Sequence, residues 1–236
     1  MAAIRRHPKF DGVYISGPND NFRLFTQNLD LNRTIYGEKL IEEKGVQYRE
    51  WNPYRSKLGA SIRANARKIF IDRNSRLLYL GASSGTTVSH CSDILSQGIV
   101  YAVEFSPRSL RELVQNCADR PNVIPILADA NHPYEYAPYI SDRIDVIFQD
   151  IAQPNQTEIL IKNVYRYLEP QKGKFIYTIK PRSIDTTANP TEIFEGEIRK
   201  LEAAGMQIMD NVSIDRYQTD HIVLFGRYLN PPKSES

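Results

Sequence analysis

Apolar residues follow two different periods along this chain, and the change of period divides it. Up to residue 54 they come in short runs, Val13-Tyr14-Ile15, Phe22–Thr26 and Val46–Trp51. Turn residues such as Gly17-Pro18-Asn19-Asp20 and Asn52-Pro53 bound these runs. The pattern predicts a small antiparallel β unit. Leu58, Ile62, Ala66 and Ile69 then recur at helical spacing and predict a helix over 55–70. Continuous apolar runs follow at 77–80, 99–103, 123–127, 145–149 and 173–179. Helix-like segments separate or follow them at 88–95, from Ser106-Pro107 onward, at 157–168 and at 190–203. Buried strands alternating with helices predict an α/β fold with a parallel sheet. Two last runs, 207–213 and 222–226, read as a hairpin-like return. The expected organisation is a β-rich domain over 1–54, an α/β domain over 55–230 and a polar tail over 231–236.

Composition changes this picture little. With 236 residues, 41% of them hydrophobic and 25% charged, the chain suits one sizeable domain with an appendage. A net charge of +2 is too small for a self-sufficient polyanion binder. Any nucleic acid must therefore meet a local cluster of charge or be presented by a partner. Arg5, Arg6, His7 and Lys9 read as a solvated N-terminal arm. Cys91 and Cys117 lack metal-ligand spacing, as do the four histidines, so no metal is expected. The first ten residues carry arginines without an apolar core, and no run has the length of a membrane span. A cytoplasmic protein with reduced cysteines is the expectation.

The stretch Leu77-Leu78-Tyr79-Leu80-Gly81-Ala82-Ser83-Ser84-Gly85-Thr86-Thr87 combines a buried strand, a turn of small residues and a helix start. Such a junction aims backbone N–H groups beyond the strand and suits a nucleotide or carboxylate. Counted from Gly81, the dinucleotide pattern Gly-x-Gly-x-x-Gly would need glycines at Ser83 and Thr86, so the loop does not fit it and argues against a nicotinamide site. Taken alone the loop is equally compatible with a plain structural turn. Three consecutive strands, however, end in acids: Glu104, Asp129 and Asp150. In open α/β sheets ligands bind at the carboxyl ends of strands, and an acid about twenty residues past the loop suits ribose hydroxyls. Together these favour a cofactor site. Lys180 is delivered to the same edge by the fifth strand. Lys57, Lys180 and His221 would each pass, in isolation, for ordinary solvated residues.

Four stretches resemble fibrillarin. They are Trp51-Asn52-Pro53-Tyr54-Arg55-Ser56-Lys57-Leu58, Tyr79 through His90, Phe148-Gln149-Asp150-Ile151-Ala152-Gln153-Pro154-Asn155-Gln156 and Lys180-Pro181-Arg182-Ser183-Ile184-Asp185. The likeness runs from about Gly12 to Tyr228, in order, and is to the archaeal form without a Gly/Arg-rich extension. It implies a seven-stranded Rossmann-like methyltransferase sheet behind a small N-terminal antiparallel β domain. The implied activity is S-adenosyl-L-methionine-dependent 2′-O-methylation of ribosomal and transfer RNA, within a box C/D ribonucleoprotein whose guide RNA selects the target. The implied partners are a Nop-domain scaffold protein, bound directly, and a kink-turn-binding protein on the guide RNA. The catalytic set falls on Lys57, Asp150, Lys180 and His221. The cofactor-lining set falls on Gly81, Ala82, Ser83, Gly85, Thr86, Thr87, Glu104, Phe105, Asp129, Ala130, Asp150, Ile151, Ala152 and Gln153. Pro181 stands where alanine is more usual, and Tyr217-Gln218-Thr219-Asp220 lacks the charged pair often found before the histidine.

Methyl transfer to a ribose hydroxyl is an in-line displacement by a poor nucleophile, which must be positioned and its developing charge stabilised. The implied roles give Lys180 that task, as general base or as electrostatic clamp, with Asp150 orienting it. Lys57 and His221 then steady the nucleophile and an adjacent phosphate. A non-catalytic assembly subunit would be expected to lack one of Lys57, Asp150 and Lys180. A methyltransferase acting on a protein side chain or a free small molecule would favour a closed, apolar substrate pocket and would not explain a lysine pair around Asp150.

Overall fold

The structure is a computed structural model and describes residues 2–18, 21–141 and 143–230. Asn19 and Asp20 of the first turn, and the tail over 231–236, lie outside the described residues. Five strands come first: β1 (Arg5–Arg6), β2 (Val13–Ser16), β3 (Arg23–Gln27), β4 (Leu40–Glu43) and β5 (Val46–Trp51). They form an antiparallel sheet in the order β1-β2-β3-β5-β4. Two of these strands were not foreseen. β4 reaches β5 through Lys44-Gly45, both at positive φ (54° and 76°), the backbone of a tight hairpin turn. Arg5 and Arg6 are no free arm: their backbone pairs with Ile15 and Tyr14 while their side chains stay exposed.

The helix expected over 55–70 is shorter. A 3₁₀ turn (Pro53–Arg55) leads into α1 (Lys57–Arg63), and Asn65 then adopts φ 67°. The Ala66 N–H turns back to the Ser61 carbonyl at 2.9 Å, closing the helix. Ala66 and Ile69 are nevertheless buried, so their spacing reported burial rather than continued helix.

The remaining elements are β6 (Arg76–Leu80), α2 (Thr86–Ile94), β7 (Ile99–Glu104), α3 (Pro107–Asn116), β8 (Val123–Leu127), β9 (Val146–Gln149) and α4 (Gln156–Tyr167). They continue with β10 (Lys174–Ile179), α5 (Pro181–Ile184), α6 (Pro190–Ala203), β11 (Met206–Ser213) and β12 (Ile222–Tyr228). The sheet order is β11-β12-β10-β9-β6-β7-β8. Strands β6 to β10 are mutually parallel, and β12 and β11 add antiparallel at one edge. β7 and β8 lie on one side of β6, and the chain then returns to place β9 on the other. That reversal opens a crevice at the carboxyl ends of β6 and β9.

Alternate residues of the central strands enter two cores. Leu77, Tyr79, Val100, Ala102, Val146 and Phe148 face the side carrying α1, α2 and the N-terminal sheet. Leu78, Leu80, Tyr101, Val103 and Ile147 face the side carrying residues of α4 and α6. Val13, Ile15, Leu24 and Trp51 of the N-terminal sheet belong to the first core, so apolar packing is continuous across the two sheets. A buried polar network reinforces the junction. Arg49 on β5 pairs with Glu38 (2.6 Å) and with Asp93 on α2 (3.2 Å), while Arg120 pairs with Asp93 (2.6 Å). Thr26 Oγ1 donates to Asp93 (2.6 Å) and lies 2.8 Å from His90 Nδ1. Burial, together with Arg49 and Arg120, holds the His90 pKa well below the usual imidazole range.

Candidate active site

Asp150 follows β9 directly and still donates its N–H to the Leu80 carbonyl at 2.9 Å, so its place is set by the sheet. A Cβ on Gly81 would lie 2.5 Å from the Asp150 carbonyl oxygen, and Gly81 sits at φ +82°. Only glycine meets both conditions. The Asp150 carboxylate stands between two ammonium groups. Lys57 Nζ is 3.0 Å from Oδ2 and Lys180 Nζ 2.8 Å from Oδ1. The three side chains are 14–17% exposed, within reach of an incoming ligand. Burial alone would raise the Asp150 pKa; Lys57 and Lys180 outweigh it and hold the group below the usual carboxylate value.

Each lysine arrives from a different part of the fold. Lys57 is the first residue of α1, where Ser56 caps the helix by accepting the Gly59 N–H at 3.3 Å. Thr87 Oγ1 on α2 reaches the same Ser56 hydroxyl at 3.1 Å. Lys180 ends β10, and Pro181 does not merely leave the sheet but opens the short helix α5 at its first position. His221 precedes β12 and donates Nδ1–H to the Thr219 carbonyl at 2.7 Å, which leaves Nε2 with the ring lone pair. Its pKa lies below the usual value, first through burial and then through Lys57 and Lys180, with Thr219 and Asp150 opposing. The cluster thus sets two cations on one anion, and each ammonium keeps donors in excess of those Asp150 accepts.

Beside it lies a cleft of about 240 Å³ at the carboxyl ends of the central strands. Gly81, Ser83, Glu104, Phe105, Asp129, Ala130, Asp150, Ile151, Ala152 and Gln153 line it, together with Lys180. Glu104 accepts the Ser83 N–H at 2.7 Å and the Ser106 N–H at 2.8 Å, one on each oxygen, and each oxygen retains a lone pair. Phe105 is 65% exposed at the rim. Two carboxylates and a glycine cradle fit a ribosyl and amino-acyl ligand. Ala82, Gly85, Thr86 and Thr87 do not line this cleft. Ala82 is buried, Thr87 is engaged with Ser56, and a Cβ on Gly85 would come within 2.8 Å of Leu113 Cδ1. Val103 and Ala128 also line the cleft and were missed, because an apolar residue next to a strand-end acid carries no chemical signal of its own. Among the described residues no group of three or more His, Cys, Asp or Glu is placed to hold a metal ion.

Comparison with known proteins bears on this site. The family profile described as Fibrillarin matches residues 4–230. The chain is 46% identical over 227 residues to the fibrillarin-like rRNA/tRNA 2′-O-methyltransferase of Methanococcus voltae, covering 96% of this chain and 98% of that one. Among solved structures, Aeropyrum pernix fibrillarin with natively bound S-adenosyl-L-methionine superposes with a TM-score of 0.86. That pair shares 38% identity and covers 95% of this chain and 98% of the other. Fibrillarin from a fibrillarin/Nop5p complex gives a TM-score of 0.83 at 38% identity, covering 92% and 98%.

Proposed function

The chain belongs to the fibrillarin family, and from that premise we propose that it methylates ribose 2′-hydroxyls of ribosomal and transfer RNA. It is a methyltransferase, and its cofactor is S-adenosyl-L-methionine. The cofactor supplies an electrophilic methyl group on a cationic sulfur. The observation that carries the reading is the Lys57–Asp150–Lys180 cluster at the mouth of a cleft bearing Glu104 and Asp129.

Glu104 and Asp129 hold the polar ends of the cofactor, and the Ala152–Gln153 backbone borders it. Asp150, kept ionised between the lysines, fixes both ammonium groups and favours a neighbouring sulfonium. Lys180 donates to the 2′-oxygen as it becomes nucleophilic, stabilising charge that develops in the transition state. Lys57 steadies the flanking phosphate. His221, neutral and with Nε2 unprotonated at neutral pH, takes the hydroxyl proton as the O–C bond forms and the C–S bond breaks. Protein contacts at a net charge of +2 read shape, while pairing with a box C/D guide RNA selects the nucleotide. A Nop-domain scaffold, of the kind seen with a fibrillarin in the Nop5p complex, and a kink-turn-binding protein present that duplex.

The test is transfer of labelled methyl groups to a target RNA, by the chain alone and with guide RNA and both partners, with Lys180→Ala in parallel. Label on one 2′-oxygen of the assembled reaction, lost in the variant, supports enzyme, substrate and site together. Cofactor binding without RNA methylation in the assembled particle refutes the assignment.

A further inference from the structure

Strands β9 and β10 pair only as far as Gln149 opposite Tyr177, so Lys180 lies beyond the end of that ladder. A backbone segment parting from its neighbour leaves polar groups to satisfy and a conformation to fix. Here a side chain does both. Gln156, in the first turn of α4, is fully buried. Its Oε1 accepts the Lys180 N–H at 3.2 Å, and its Nε2 donates to the Lys180 carbonyl at 3.3 Å. The same Nε2 donates to the Gln153 carbonyl at 3.1 Å. Gln156 is itself tethered, its own carbonyl accepting Gln149 Nε2 at 2.6 Å.

A carboxamide carries a donor and an acceptor side by side, as a peptide group does. We propose that Gln156 is a positioning residue for Lys180, its side chain standing in for the strand peptide that the sheet lacks at this point. The inference rests on the role given above to Lys180. Because one amide holds both Lys180 and Gln153, the nucleophile-facing lysine and the wall of the cofactor cleft share one register. The chemistry calls for glutamine: glutamate lacks the donor, methionine lacks both groups, and asparagine is a methylene too short.

The assembled particle with its guide and target RNA tests this, using Gln156→Met, Gln156→Glu and Lys180→Ala. Gln156→Met should lower kcat by about tenfold to a hundredfold, the cost of a small misplacement, while KM for the target RNA stays within about twofold. In Gln156→Glu the buried carboxyl faces two carbonyl oxygens, and its protonation restores the missing donor. The ratio of its kcat to that of the parent should therefore rise as the pH falls from about 8 to 6. A folded Gln156→Met with unchanged kcat, or with a loss confined to KM, overturns the inference. Should Gln156→Met not fold, a flat ratio for Gln156→Glu overturns it. Lys180→Ala inactive beside a fully active Gln156→Met defeats this inference alone; a fully active Lys180→Ala defeats it together with the function given to Lys180.

Discussion

At the scale of single residues, the site turns on charges held close without cancelling. Asp150 neutralises only part of the Lys57 and Lys180 charge, so the 2′-oxygen meets preorganised donors as it gains negative charge on losing its proton. Lys180→Ala should reduce kcat by about 10²–10³-fold, the usual cost of losing one such donor, with cofactor affinity retained in equilibrium binding. His221 gives the pH dependence. Its pKa is lowered, so it is already unprotonated at neutral pH, and protonation below its ordinary value of 6.5 removes the acceptor. The kcat profile should show an acidic limb below that value, and His221→Gln should abolish it; an unchanged limb would assign the proton to another group. His90 makes a related statement about stability. Its folded pKa lies below its unfolded value, so the unfolded chain binds the extra proton as pH falls through 6.5. His7, lowered to about 4, acts in the same sense. Stability to urea should thus be greatest at neutral pH and decline on acidification below 6.5. A flat response between the two histidines' folded and unfolded values contradicts this reading.

Elements set where those residues stand. The turn from β6 into α2 brings its backbone against that of Asp150, and Gly81 is the hinge of the contact. Gly81→Ala places a Cβ 2.5 Å from the Asp150 carbonyl and forces a left-handed alanine, which costs at least about 1–2 kcal/mol from the backbone alone. The thermal midpoint should fall and kcat with it, because Asp150 is displaced. The union of β5 with α2 is the other decisive contact. Arg49 is fully buried against Glu38 and Asp93, so Arg49→Met leaves two carboxylates short of a partner. A loss of about 3–5 kcal/mol in chemical denaturation is expected. Asp93 keeps Arg120, so Glu38 bears most of that loss.

For the molecule as a whole, the two sheets differ in topology but share one core. A chain reduced to 55–230 would strip Val13, Ile15, Leu24 and Trp51 from the core that also holds Leu58, Ile62, Val88 and Cys91. We expect it not to fold by itself; a cooperative melt for that fragment would show that the N-terminal unit is dispensable. A net charge of +2 supports little counterion release, so the isolated chain should bind RNA only weakly, with a Kd of about 10⁻⁴–10⁻⁶ M at physiological salt. Fluorescence anisotropy with a target oligonucleotide measures this directly, and nanomolar binding by the chain alone would remove the need for a presenting partner.

Much of this was legible in the order of residues, because it depends on local periodicity and covalent neighbours. Continuous apolar runs marked five parallel strands, and an acid or a lysine beside four of their ends, with the glycine loop after the other, marked the edge where a ligand sits. Motifs around Lys57, Gly81, Asp150 and Lys180 identified the family. Other features required tertiary structure, since they arise between segments distant in sequence. The meeting of Lys57 and Lys180 on one carboxylate is such a feature, as is the approach of the Gly81 backbone to that of Asp150. The end of α1 is another: Ala66 and Ile69 keep helical spacing, yet a left-handed Asn65 ends the helix and burial continues without it. Gln156 is the last. In the sequence it stands just before the helix expected over 157–168, with no role of its own, and only the parting of β9 from β10 makes its amide necessary. Sequence determines which local structures are available; the unpaired backbone and charge left when they pack decide what the remaining side chains must do.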